Sequence, residues 1–278
     1  MPNRCLIAAV GVWLFGLGAV GWAQKGRVGS ERCAVCHVKQ AETFPKNPHK
    51  KADCESCHGP GLAHVEALNP DQLKLFHGSQ PNQVNDSCLT CHVQDHRQER
   101  RFESAHSRNG VACNSCHRVH SPDVRRTNDA LCASCHRDIR ATFERPFGHK
   151  LAQGAIHCTD CHEPHGSQPN SPLRISGGGH DLPCFKCHTD KRGPFPFEHA
   201  PMRTQLCSTC HDLHGSANPR MLARHNVSQL CLECHSFSPG VAGGSPPAFH
   251  DLRIERYRQC TVCHVKIHGS YAHRDFLR

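Results

Sequence analysis

Cys-x-x-Cys-His occurs ten times in this 278-residue chain, and no other feature restricts its folding as much. In chain order, numbered 1 to 10 below, the copies are Cys33/Cys36/His37, Cys54/Cys57/His58, Cys88/Cys91/His92, Cys113/Cys116/His117, Cys132/Cys135/His136, Cys158/Cys161/His162, Cys184/Cys187/His188, Cys207/Cys210/His211, Cys231/Cys234/His235 and Cys260/Cys263/His264. Together they take twenty of the 21 cysteines. None of the twenty is left over for a disulfide, and the remaining Cys5 precedes an apolar run at the N-terminus.

The spacing has a chemical reason. Two thiols three positions apart add to the two vinyl groups of one haem, and the adjacent imidazole is then held beneath the iron as its proximal ligand. One such motif is weak evidence. With His at about 9% of the chain, finding it after all ten Cys-x-x-Cys pairs by chance has a probability on the order of 10^-10. Four-cysteine zinc sites do not require a His after every second Cys, and a disulfide framework does not require the fixed pair spacing.

Composition agrees. Met1 to Arg4 is a short basic start, Leu6 to Val20 is apolar, and Gly21-Trp22-Ala23 offers small residues around a cut, so residues 1–23 read as a secretory signal peptide. The run is too short and too broken by glycine for a membrane span. Export also suits haem c, which is attached outside the cytoplasm. Beyond residue 23, Leu, Ile, Val and Phe make up only 45 of 255 residues, or 17.6%. A chain below about 20% cannot build an ordinary core, so the macrocycles must fill the interior.

Every iron needs a sixth ligand. Only Met202 and Met221 remain beyond the leader, whereas sixteen further histidines do, so bis-histidine coordination is expected; it gives lower potentials than His/Met. Irons with both axial positions filled pass electrons and bind no substrate. Successive motifs begin 21, 34, 25, 19, 26, 26, 23, 24 and 29 residues apart, which leaves no gap for a catalytic domain. At about 18 Å, the radius of gyration of a compact chain of this length forces ten macrocycles to be close neighbours. Pro and Gly recur between motifs (Gly59-Pro60-Gly61, Gly177-Gly178-Gly179, Ser245-Pro246-Pro247). The expected secondary structure is mostly coil with short α-helices and almost no β.

The net charge of +9 could suggest a nucleic-acid partner. About twenty haem propionates offer a simpler destination for the Lys and Arg, and basic runs such as Arg97 to Arg101 carry no interleaved aromatics for stacking on bases.

The stretches CESCHGPGLAH (54–64), SAHSRNGVACNSCHRVH (104–120), HCTDCHEPHGS (157–167), CHTDKRGPFPFEHAP (187–201), CSTCHDLHGS (207–216) and CTVCHVKIHGS (260–270) closely resemble the MtrA/DmsE-type decahaem cytochromes. The resemblance covers nearly all of the chain beyond the leader. It implies the multihaem cytochrome c fold, an elongated haem-cored chain of two similar pentahaem halves, 24–145 and 146–278, in one continuous decahaem domain. It also implies an exported electron conduit, the inner wire of a porin-cytochrome complex. The partners would be an outer-membrane β-barrel porin, a periplasmic or inner-membrane cytochrome, and an extracellular multihaem cytochrome or terminal reductase. A polar exterior suits the lumen of such a barrel.

The resemblance further sorts the spare histidines. His49, His64, His106, His120, His149, His165, His199, His214, His250 and His268 stand where the family places distal ligands. His77, His96, His157, His180, His225 and His273 are left as surface or propionate-contacting residues, with His96 and His157 the nearest alternatives. Two other functions are compatible with so many haems. A reductase for nitrite or a sulfur oxyanion would leave one iron five-coordinate and show a Lys in place of a proximal His, or a large insertion; neither is present. A soluble periplasmic electron shuttle would be chemically the same as the conduit.

Overall fold

The computed structural model describes residues 26–93, 104–124, 128–166, 173–174, 182–204, 207–235 and 250–277. The expected leader, His96, His180 and the segment 237–249 lie outside them. Among the described residues the regular structure is short helices joined by coil, with isolated antiparallel bridges and no strand. Most helices run four to six residues, and the longest, Pro81–His92, has twelve. No helix of the described residues is long and apolar enough to cross a membrane.

Such short helices need tertiary anchors, because an isolated helix of this length is unstable in water. Some ends are capped locally: the Asp53 side chain accepts from the Glu55 amide, Asn128 from Leu131 and Ser104 from Ser107. At its other end Cys54–His58 stops at Gly59, whose φ of 79° belongs to glycine.

An apolar core is almost lacking. Among the described residues Val84 and Leu151 are the buried hydrophobic side chains, and the buried polar set is longer. Val35 and Val262, within the Cys-x-x-Cys loops of motifs 1 and 10, are 68% and 64% exposed. That inversion is what a chain shows when a large apolar cofactor is its interior.

Two compact units divide the chain: residues 1–90 with 112–125, and residues 91–111 with 126–278. In the first, Glu55 is a hub. Its carboxylate accepts from Val28 N (3.0 Å), Gly29 N (2.9 Å) and Gly61 N (2.7 Å), tying the segment before motif 1 to motif 2. Burial pushes its pKa up, but these hydrogen bonds outweigh it and hold the carboxyl below its ordinary value. The second unit is tied by main chain: Phe147 pairs with Ser216, and Phe197 with Ser270. Both serines are 1% exposed.

Candidate haem-binding sites

Each motif is one helical turn. The His amide donates to the carbonyl of the first Cys at 2.9 to 3.0 Å in motifs 1, 4, 5, 6, 7, 8, 9 and 10. Residues three and four apart share a helix face, so this turn sets both thiols and the imidazole toward one side. None of the twenty cysteines forms a disulfide. Among the described residues, no three His, Cys, Asp or Glu side chains converge as a bare-metal site, so the thiols do not gather into zinc clusters there.

The sequence assigns both cysteines of every motif the same tethering role, but the structure gives them different surroundings. All ten first cysteines are half-buried: Cys33, Cys54, Cys88, Cys113, Cys132, Cys158, Cys184, Cys207, Cys231 and Cys260. The second cysteines alternate instead. Cys36, Cys91, Cys135, Cys187 and Cys234 of the odd motifs are exposed, whereas Cys57, Cys116, Cys161 and Cys210 of motifs 2, 4, 6 and 8 are half-buried. Cys263 of motif 10 breaks the alternation and is exposed. None of the twenty is sealed inside the protein, as a thiol that must reach a vinyl group requires.

The imidazoles come in facing pairs. Ring centroids are 6.3 Å apart for His37 and His64, 5.9 Å for His58 and His120, and 6.0 Å for His136 and His106. They are 5.9 Å apart for His162 and His214, 6.3 Å for His188 and His149, and 6.1 Å for His211 and His268. For His235 and His199 the separation is 6.1 Å, and for His264 and His250 it is 6.3 Å. In every pair one member follows a Cys-x-x-Cys and the other belongs to the ten distal candidates. The separation is a test of fit: two metal–imidazole bonds of about 2 Å, plus about 1.1 Å from each ligating nitrogen to its ring centre, give about 6.2 Å. For His92 and His117, and for the candidates His49 and His165, the assignment is that of the sequence.

The pairs obey a register. The distal candidate after an odd motif faces the motif histidine two motifs further on: His106 faces motif 5, His149 motif 7 and His199 motif 9. The one after an even motif faces two motifs back, as His120 does motif 2, His214 motif 6 and His268 motif 8. At the ends the pattern turns inward, with His64 on motif 1 and His250 on motif 10.

Ring orientation is set by backbone carbonyls. Nδ1 lies 2.9 Å from Lys74 O in His58, 2.9 Å from Asn69 O in His64, and 2.9 Å from Arg220 O in His211. The distances are 2.6 Å from Asp275 O in His264 and 3.3 Å from Val124 O in His117. A carbonyl only accepts, so Nδ1 is the donor and Nε2 is left with its lone pair, as a metal ligand requires. The odd-motif distal histidines use one device repeatedly: His106 donates to Pro164 O (3.1 Å), His149 to Leu213 O (2.8 Å) and His199 to Ile267 O. Each acceptor immediately precedes the histidine of a His-Gly-Ser. Burial lowers the pKa of His120, His214 and His199. His268 is pushed down to about 4 by burial, then by Lys191 and His211.

Two of the four His-Gly-Ser copies, 214–216 and 268–270, are thereby explained: the Ser makes the bridge to Phe147 or Phe197, and the Gly leaves room, since a Cβ on Gly215 would sit 2.1 Å from the Thr142 carbonyl oxygen and one on Gly269 2.2 Å from the Phe195 ring. Antiparallel pairing of Phe147 with Ser216 sets His149 across from His214, and the Phe197 bridge does the same for His199 and His268. These are distal candidates of successive motifs, 6 with 7 and 8 with 9. His-Gly-Ser recurs in the sequence, but the segments that bridge to it are not legible there.

Three of the six spare histidines are otherwise engaged. His157 Nδ1 lies 2.9 Å from Asp129 Oδ2, and that carboxylate raises its pKa. His225 Nδ1 is 3.3 Å from Asn218 Oδ1, and His273 Nδ1 accepts from Asp275 N at 3.1 Å. His77 is exposed.

Family models match in three places: a doubled CXXCH motif over residues 199–238, cytochrome c3 over 105–174, and cytochrome c554 and c-prime over 62–118. The multiheme cytochrome MtrA of Shewanella baltica (strain OS185) is 34% identical over 268 residues, covering 87% of this chain and 78% of that protein. A likeness of that extent settles kinship, and the motif turns supply its chemistry: the chain belongs to the MtrA family of multihaem c-type cytochromes, which carry electrons on covalently bound haem.

Proposed function

We propose that this protein is a decahaem electron conduit, with every iron held between a proximal and a distal imidazole, that works across the outer membrane inside a β-barrel porin. The observation that carries the reading is the set of eight facing imidazole pairs, each joining a motif histidine to one of the distal candidates. His49 and His165 are the remaining distal candidates, for the irons of motifs 3 and 4. Haem supplies one-electron chemistry at iron. The chain's part would be to offer each iron two imidazoles, which would deny substrate an open site, and to hold neighbouring motifs of each unit close together. The turn Cys158–Cys161 of motif 6 packs against Pro183–Lys186 of motif 7, and Val227–Leu232 of motif 9 against Cys260–Cys263 of motif 10.

Its inner partner is a periplasmic or inner-membrane cytochrome, as donor or acceptor, and its outer partner an extracellular multihaem cytochrome or terminal reductase. The MtrA relationship supports these partners and an exported location. Three measurements test the proposal. Intact mass should give ten haems and no free thiol, and carbon monoxide should leave the spectrum of the reduced protein unchanged. Co-expressed with its porin and placed in liposomes, the protein should oxidise a trapped dye reductant when ferric citrate is added outside. A stoichiometric carbon monoxide complex would turn the reading toward a reductase. Trapped dye that stays reduced would turn it toward a soluble shuttle.

A further inference from the structure

We propose that the short polar residue three positions before motifs 1, 3 and 5 is a clasp that fixes the following even motif against it, so that haems 1 with 2, 3 with 4 and 5 with 6 are positioned as adjoining pairs. The residues are Ser30, Asn85 and Asp129, and in the sequence Asp181 and Ser228 hold the same position before motifs 7 and 9. Before the even motifs the same position holds Lys51, Gly110, Ala155, Thr204 and Tyr257, with a short polar residue in one case of five.

The contact is the same in three pairs. Ser30 Oγ accepts from Cys54 N at 3.0 Å, Asn85 Oδ1 from Cys113 N at 2.8 Å, and Asp129 Oδ1 from Cys158 N at 2.9 Å. Each donor is the first residue of a one-turn helix, Cys54–His58, Cys113–Cys116 or Cys158–Cys161, and so an amide with no partner inside its own helix. Being the amide of a haem-attaching cysteine, it transmits the clasp directly to the tether. Ser228 stands at the equivalent place before motif 9 and is 8% exposed; Asp181 lies outside the described residues.

A second observation marks two of these pairs, 1 with 2 and 5 with 6, and extends the pairing to 7 with 8 and 9 with 10. The first cysteines meet thiol to thiol in Cys33 with Cys54, Cys132 with Cys158, Cys184 with Cys207 and Cys231 with Cys260. Between even and odd motifs it is the second cysteines that approach, Cys161 toward Cys187 and Cys210 toward Cys234. From motif 5 to motif 10 two kinds of joint therefore alternate, and the polar residue Asp129 belongs to one of them.

This assignment rests on the ten-haem reading above, and the test separates the two. Compare Asp129→Ala with Asp129→Asn, which keeps the accepting oxygen, and Asn85→Ala with Asn85→Asp. Haem number comes from intact mass and haem–haem coupling from circular dichroism in the Soret band. Both Ala variants should keep the parent's haem number but lose about one fifth of the coupled signal, one pair in five acting independently. The Asn and Asp variants should retain it. Ala variants that overlay the parent, or conservative variants that lose as much as Ala, overturn the clasp and leave the haem count standing. A parent carrying fewer than ten haems overturns the earlier reading instead. Should Asp129→Ala fail to mature, the Asn85 pair decides.

Discussion

The two units solve one problem differently. Each must hold the loop that ends in an odd-motif distal histidine against the segment that carries an even-motif one. In the second unit main chain does it: Phe147 and Ser216 exchange hydrogen bonds of 3.1 and 2.7 Å, and Phe197 and Ser270 exchange bonds of 3.1 and 2.9 Å. In the first unit a single side chain does it. Asn47, 1% exposed, donates through Nδ2 to Val119 O and to Ser121 O (2.7 Å), while its Oδ1 accepts from the His49 amide at 2.8 Å and lies 3.2 Å from His49 Nδ1. Asn47 stands two residues before His49, as Phe147 and Phe197 stand two before His149 and His199. A joint made of backbone tolerates side-chain change but not added bulk. One made of a side chain fails when that side chain is cut.

The largest effect should therefore come from bulk placed on the backbone joint. Gly215→Ala puts a methyl 2.1 Å from the Thr142 oxygen, a main-chain atom that cannot swing away. We expect a loss of at least about 3 kcal/mol, the upper end of overpacking costs, read from the denaturant midpoint of the haem absorbance. Gly269→Ala should cost less, because the atoms it meets belong to the Phe195 side chain. Equal losses at the two sites would mean that the difference between backbone and side-chain neighbours is immaterial here.

Next comes Asn47→Ala. It removes a buried amide that satisfies two carbonyls and the His49 main chain, and unsatisfied buried groups cost about 1 to 3 kcal/mol each. Solvent reaching the opened site limits the total to about 2 kcal/mol. Because His49 is a distal candidate, the same variant should shift one haem potential. Voltammetry that overlays the parent would separate Asn47 from that iron.

Much of this was legible in the sequence. Ten motifs announced haem, the shortage of Leu, Ile, Val and Phe announced the missing core, and Gly and Pro announced the short helices, since each is a local signal. The family resemblance selected the eight distal histidines that stand in facing pairs. What the sequence did not disclose was which motif each distal histidine faces. That depends on chain paths tens of residues apart, as between His162 and His214 or His211 and His268. The unequal exposure of the two cysteines in a motif was equally hidden, because Cys36 and Cys57 occupy the same place in identical motifs and differ only in what packs beside them. Nor did Asn47 announce itself. An asparagine before a proline reads as a turn residue, and only its burial beside Val119 and Ser121 reveals another use.

The smallest effect sharpens the comparison most. Phe147 is 39% exposed, and its part in the joint is its own N–H and C=O. Phe147→Ala leaves both in place, so it should cost only the partial burial of the ring, about 1 to 2 kcal/mol at ~25 cal/mol per Å² of apolar area. It should also leave every haem potential unmoved, because His149 is oriented by the Leu213 carbonyl and not by the phenyl group. A loss beyond what the ring's burial accounts for, or a displaced potential, would mean that the ring and not the backbone holds this joint. The two units would then differ in residue type alone and share one side-chain mechanism.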